Sequence, residues 1–224
     1  MAEPSSTRWV TFDCFGTLVD WRSGFSAIIK PIAAQRTIEL LAAYHEFEPK
    51  VEAEKPHRPY KEVLRESLHR AASKIGMELS APQEDALATE WGSQPVFGDV
   101  HEALASLRAE GYKLAVLTNC DNDLFAQTQR SFRLPLDLVV TAEEVRDYKP
   151  SLCHFHAFSR ISGVASEHWI HVACSWFHDI APARQLGIKR IWLDRDLSGH
   201  DPAAASLRIL SAKELPQAVQ KLFR

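Results

Sequence analysis

Residues 9–20, WVTFDCFGTLVD, constrain the fold of this chain more than any other stretch. A short apolar run with β-branched residues reaches Asp13 and then breaks at Gly16-Thr17 into a turn. Such a run reads as a strand buried on both faces, the pattern of a parallel sheet flanked by helices. In open α/β sheets, ligands bind beyond the carboxyl ends of the strands. Asp13 is therefore a candidate reacting group. Aspartate also caps turns, and this stretch alone fits either role.

The rest of the chain sorts into two rhythms. Residues 21–94 contain no convincing strand. Helical apolar spacing predicts helices over Ser26–Glu46, with Pro31 near the start, over Tyr60–Gly76 and over Ala81–Trp91. Glu48-Pro49 and the segment 55–59 read as turns. From Pro95 strands and helices alternate. Predicted strands are Tyr112–Asn119, Leu136–Val140, Trp169–Cys174 and Lys189–Leu193. Between them lie a helix from Val100 to Glu110 with Asp99 as N-cap, one opened by Asp121 or Asn122 and running to Phe132, one over Ser151–Gly163 and one over Asp179–Gly187. A last helix spans Ala212–Phe223. With the first strand this makes an α/β fold, a Rossmann-like doubly wound parallel sheet of five core strands. The expected core is residues 1–20 and 95–224. The expected cap domain is 21–94, placed over the rim that carries Asp13, where a lid shields a reaction from water.

Composition narrows the partners. At 224 residues the chain supports one core plus a small satellite. A net charge of −3 gives no reason to expect nucleic acid or a membrane surface. No apolar run approaches the roughly 20 residues needed to cross a bilayer. The polar start, residues 1–8, has no apolar leader pattern, so the expected location is the cytoplasm. Cys14, Cys120, Cys153 and Cys174 have no CxxC or CxxH spacing, which argues against zinc and for reduced thiols.

Asp13, Thr118-Asn119, Lys149 and Ser175 with Asp179 each fall just past a strand or in a loop above the sheet. In this order, DCFGTLVD, LTN, YKP and SWFHDIAPARQLG resemble the four motifs of the haloacid dehalogenase (HAD) superfamily. The resemblance covers essentially the whole chain, including an insert right after the first motif. Most members are phosphohydrolases whose second motif-I aspartate handles the leaving-group proton. Here that position is Phe15, and a phenyl ring has no proton to give. The family's second magnesium carboxylate is replaced by Ser175. Both features match the L-2-haloacid dehalogenase branch, which uses no metal.

By that resemblance, Asp13 attacks the halogen-bearing carbon of a small 2-haloacid and forms an ester. Water then hydrolyses the ester to a 2-hydroxy acid. Lys149 is implied to hold Asp13 ionised. Thr118 and Asn119 are implied to bind the substrate carboxylate or the halide. Asp179 with Ser175 would position Lys149 or water, and Phe15 would form an apolar wall. Cys174 and Trp176 depart from the dehalogenase pattern, which carries Ser and Asn there. His178 stands beside Asp179 as a base or as a packing residue.

The branch holds its halide with a cap arginine, for which Arg36, Arg58 and Arg22 are the candidates. The expectation is no cofactor and no metal, with a small organic acid as the only ligand and a homodimer as an option. Two other readings fit the sequence. One is a Mg-dependent phosphatase using Asp13 and Asp179. The other is a non-catalytic HAD-like binding protein.

Overall fold

A computed structural model describes residues 7–224. The expectation for the first six residues lies outside it. Six strands, β1 (Trp9–Phe12), β2 (Lys113–Thr118), β3 (Leu138–Thr141), β4 (Trp169–Ala173), β5 (Lys189–Leu193) and β6 (Leu207–Ile209), form one sheet in the order β3-β2-β1-β4-β5-β6. Every pairing is parallel. The expected five strands are thus six. β6 escapes sequence reading because it is three residues long with a charged centre, Arg208, which pairs with Asp194 at 2.6 Å.

The strands read as unbroken apolar runs because alternate residues enter two cores. Leu114 and Val116 of β2 join Val10, Phe12, Ile170 and Val172 on one face. Ala115 and Leu117 join Val140 and Trp169 on the other. The helices that follow are α1 (Trp21–Ala33), α2 (Thr37–Ala53), α3 (Tyr60–Lys74), α4 (Ala81–Glu84), α5 (Ala86–Thr89), α6 (Val100–Ala109), α7 (Asn122–Gln129), α8 (Ala142–Val145), α9 (Cys153–Ser162), α10 (Ala181–Gln185) and α11 (Leu215–Phe223). Leu104 and Leu107 of α6 and Leu215 and Val219 of α11 cover the first face. Phe155 and Phe158 of α9 and Ala183 of α10 cover the second. Helices on both faces of a parallel sheet are the doubly wound arrangement.

Five helices, α1 to α5, lie between β1 and α6, and their details correct the sequence reading. The single helix expected over Ser26–Glu46 starts earlier, at Trp21, because Asp20 accepts from Ser23 N (3.1 Å) and Ser23 Oγ (2.6 Å). It also breaks in two at Ala34, where φ is +47°. Glu48-Pro49 is no turn: both residues lie inside α2. Proline forfeits one helical bond there, and hydroxyls of Tyr44 and Tyr60 anchor Glu48 across the gap.

Two expected caps do other work. Asp99 makes no side-chain cap. Its carboxylate takes Arg195, Ser211 Oγ (2.8 Å) and Ala212 N (2.8 Å). Asp121 accepts from Tyr60 N (2.7 Å) and Lys61 N (3.0 Å), so it caps α3 of the insert from the sheet side.

Candidate active site

The chain runs outward from β1 through β2 to β3, then returns to the other side of β1 for β4. The reversal puts the ends of β1 and β4 side by side, where α/β sheets open a crevice. Asp13 sits there, 7% exposed, its N–H donated to Val172 O at 3.0 Å. The next residues fold back on themselves, with the N–H groups of Leu18 and Val19 both on Cys14 O. Gly16 permits this turn. Its φ is +91°, and an added Cβ would come within 2.9 Å of Cys174 Sγ. The turn brings Thr17 Oγ1 to donate to Asp13 Oδ2 at 2.7 Å while it accepts Cys174 N at 2.9 Å.

The second carboxylate oxygen of Asp13 meets Lys149. The fully buried ammonium has three protons and three acceptors: Asp13 Oδ1 (2.9 Å), Asp179 Oδ1 (2.7 Å) and Leu117 O (2.8 Å). Burial alone pulls the Lys149 pKa down, but the Asp13 and Asp179 charges outweigh it and hold the ammonium above its ordinary range. Burial raises Asp179 in turn, and the Lys149 charge with the His171 bond reverses this, holding it well below the carboxylate range.

A polar chain inside the sheet supports Asp179. Trp169 Nε1 donates to Thr11 Oγ1 (2.7 Å), and that hydroxyl meets His171 Nδ1 at 2.8 Å. With the Thr11 proton on Nδ1, His171 Nε2–H donates to Asp179 Oδ1 at 3.0 Å. Asp179 Oδ2 is buried without a partner.

Above these groups opens a cavity of about 370 Å³, within the range of small-molecule sites. Phe15 forms part of its wall, edge-on to Trp91 with ring centroids 4.7 Å apart, and Trp21, Phe25 and Tyr60 continue it. Asn119 lines the cavity, its amide closing two bonds with the Lys149 backbone (3.1 and 2.7 Å). Thr118 does not line it, because its hydroxyl points at Cys120 Sγ, 3.6 Å away. Ser175 does; its Oγ accepts His178 N (3.1 Å) and pairs with His178 Nδ1 (3.0 Å) at the head of a π turn, Trp176–Ile180.

Burial depresses the His178 pKa and pushes the Cys174 thiol up to about 12, so neither is charged near neutrality. The four cysteines are free thiols.

The arginine candidates part ways. Arg36 is bound to Glu39 and to Ile75 O (2.6 Å), and Arg58 to Glu54 (2.9 Å), both off the cavity. Each is held by an acidic neighbour in its own segment. Arg22 reaches the cavity but is paired with Asp196 at 2.5 Å. What the insert does place there is acidic: Glu48 and Glu52, four residues apart on one face of α2.

Among the described residues, no group of three or more His, Cys, Asp or Glu side chains is arranged to hold a metal ion. Asp13 and Asp179 are the two carboxylates joined through Lys149, and Asp179 Oδ2 is an oxygen without a partner. The hydroxyl of Ser175, the position the resemblance gives to a further carboxylate, is engaged by His178. Magnesium prefers a fuller oxygen shell, so the donor set fits it poorly.

Sequence reading missed Thr17, His171, Thr11, Glu48 and Glu52. A polar residue inside an otherwise apolar strand is informative, and His171 carries that signal. Tyr44, Glu48 and Glu52, at successive four-residue steps, carry another.

A family model described as "Haloacid dehalogenase-like hydrolase" matches residues 10–193. A phosphoserine phosphatase of Thermus thermophilus is 30% identical over 161 residues, 70% of this chain, and the chain spans only 64% of that relative's length. The (S)-2-haloacid dehalogenase 1 of Pseudomonas sp. (strain CBS-3) is 23% identical over 96% of this chain and 97% of its own. In fold, the chain is similar to the L-2-haloacid dehalogenase of Xanthobacter autotrophicus, solved with chloropropionic acid covalently bound. That match has a TM-score of 0.80 and 18% identity over 96% of this chain and 98% of the other. With a family model spanning most of its length, this chain belongs to the haloacid dehalogenase-like hydrolases.

Proposed function

We propose that this hydrolase is a dehalogenase acting on small 2-haloacids, with Asp13 as its nucleophile. The observation that carries the reading is the pairing of a fixed carboxylate with an apolar wall. Thr17 and Lys149 hold the two oxygens of Asp13, while Phe15 presents a ring against Trp91 where ester chemistry on phosphate needs a proton donor.

An Asp13 oxygen attacks the halogen-bearing carbon from the side opposite the halide. The carbon–halogen bond breaks with its electron pair on the halide, and an ester joins substrate to Asp13. Water next adds to the acyl carbon of that ester, releasing a 2-hydroxy acid and restoring the carboxylate. Lys149, oriented by Asp179 and His171, offsets charge on the Asp13 oxygens in both steps. Ser175 and His178 line the cavity where the water would enter. Full-length similarity to the Pseudomonas dehalogenase supports the reading, as does the covalently bound chloropropionic acid in the Xanthobacter structure.

Similarity to a phosphoserine phosphatase favours a second reading, magnesium-dependent phosphate release. Halide and phosphate release measured side by side, with EDTA and with Mg²⁺, separate the two. The expected outcome is EDTA-insensitive halide release from a 2-haloacid that falls at least about 10³-fold in Asp13→Asn. Strictly Mg²⁺-dependent phosphate release with no halide release overturns the proposal.

A further inference from the structure

The turn that follows Asp13 is gripped from behind by a side chain that the mechanism above leaves unused. Arg195 stands just past β5, its side chain 13% exposed and off the cavity lining. Its guanidinium carries five N–H groups in a rigid planar fork. Along one edge, Nε and Nη2 both donate to Thr17 O, each at 3.1 Å. Along the other, Nη1 donates to Asp99 Oδ2 at 3.1 Å and Nη2 to Asp99 Oδ1 at 2.9 Å.

The fork has a fixed base. Asp99 also accepts from Ser211 Oγ and Ala212 N, both at 2.8 Å, so its carboxylate is tied to the start of the last helical segment. The guanidinium carbon lies 4.0 Å from the centre of the Phe97 ring, and Phe97 N donates to Leu18 O at 3.0 Å. Arg195, Phe97, Leu18 and Thr17 thus close a ring of contacts around the turn.

Thr17 carries the grip to the chemistry. It is fully buried, and its carbonyl needs a donor there. Its hydroxyl donates to Asp13 Oδ2 at 2.7 Å and accepts from Cys174 N at 2.9 Å. Threonine is stiff at χ1, so a clamp on its backbone also fixes where the hydroxyl points.

We propose that Arg195 is a positioning residue for the nucleophile, acting through Thr17 on Asp13 Oδ2. The inference rests on the reading of Asp13 as the attacking group. A misplacement of about 1 Å at a reacting atom costs on the order of 10²-fold in rate. Lysine does not replace the fork, because one ammonium cannot reproduce its planar set of bonds to a carbonyl and a carboxylate.

Arg195→Lys is compared with the parent in halide release from 2-bromopropanoate, well below the Tm of either protein. The expected result is a kcat lower by about 10- to 100-fold, with KM within about twofold. Thr17→Val should lower kcat to a similar extent. In a Thr17→Val background, Arg195→Lys should then change kcat by less than about threefold, since the hydroxyl it positions is gone. Losses that multiply in the double variant, a change confined to KM, or a lower Tm with unchanged kcat overturn the assignment. Should Arg195→Lys fail to fold, Asp99→Asn carries the same test, leaving Arg195 in place without its charged anchor.

The Cys174 amide gives a readout that needs no turnover, because it donates to the Thr17 hydroxyl. In Arg195→Lys its hydrogen exchange, followed by NMR, should quicken about tenfold or more, while the amides of Leu114–Leu117 in β2 stay as in the parent. If the Cys174 amide responds in this way but the parent releases no halide, the dehalogenase reading has failed and the grip on Thr17 stands. If that amide is unchanged, the positioning role is ruled out whatever the activity.

Discussion

Lys149 shows how much a single side chain settles in this protein. It is buried, yet its three donors are matched by two carboxylates and a carbonyl, so the desolvation cost of a buried charge is offset. Asp179 is where that arrangement is tuned, because His171 fixes it from inside β4. His171→Phe keeps a ring beside Phe155 but removes the donor to Asp179. It should lower kcat about tenfold with KM little changed, and cost about 1–3 kcal/mol of stability for the unpaired buried group. Steady-state kinetics with denaturant unfolding check both. A change confined to KM would contradict the positioning role.

At this scale the meeting of Asp13, Lys149 and Asp179 is legible from the order of four short motifs. The rest of the site is not. Arg36 and Arg58 look like anion binders until their pairing with Glu39 and Glu54 is seen. Glu52 looks like one more helical surface charge until α2 is placed over the sheet.

Among the elements, the insert depends on how its helices are tied to the core. Asp121, 1% exposed at the end of the β2 loop, receives the first two N–H groups of α3. Tyr148 Oη donates to Arg58 O at 2.7 Å just before that helix. These contacts set the height of α2 and α3 over Asp13. Asp121→Ala strips a helix N-terminus of its acceptor, a loss of about 1 kcal/mol, which is a fall of roughly 2–4 °C in Tm for a chain of this size. The same change should raise KM more than it lowers kcat and speed proteolysis within 54–60. An unchanged KM would mean the tie does not position the insert.

Strand–helix alternation after Pro95 is legible because buried strands and amphipathic helices differ in period. The break at Ala34 is not, since neither Gly nor Pro marks it. The continuity of α2 through Pro49 is hidden as well, because packing against α3 overrides the proline signal.

In the whole molecule, the sheet order decides where chemistry is possible. β1 and β4 lie together at the reversal of the sheet, so residues following each meet although some 160 positions separate Thr17 from Cys174 in sequence. The insert leaves the core directly after β1 and returns over the same rim, closing the cavity from above with aromatic rings and two carboxyls. Fold class is therefore written plainly in the chain. The chemistry of the roof is not, because it depends on the docking angle of helices that no local pattern encodes.

If Asp13 attacks carbon, its own carboxyl group is the site of hydrolysis. A single turnover of a 2-haloacid with enzyme in excess, in H₂¹⁸O, tests this directly. The expected result is ¹⁸O in the Asp13 carboxylate, found by mass spectrometry of the peptide, and an unlabelled 2-hydroxy acid. Label in the hydroxy acid with none in Asp13 would mean that water attacks the substrate itself, and would contradict it.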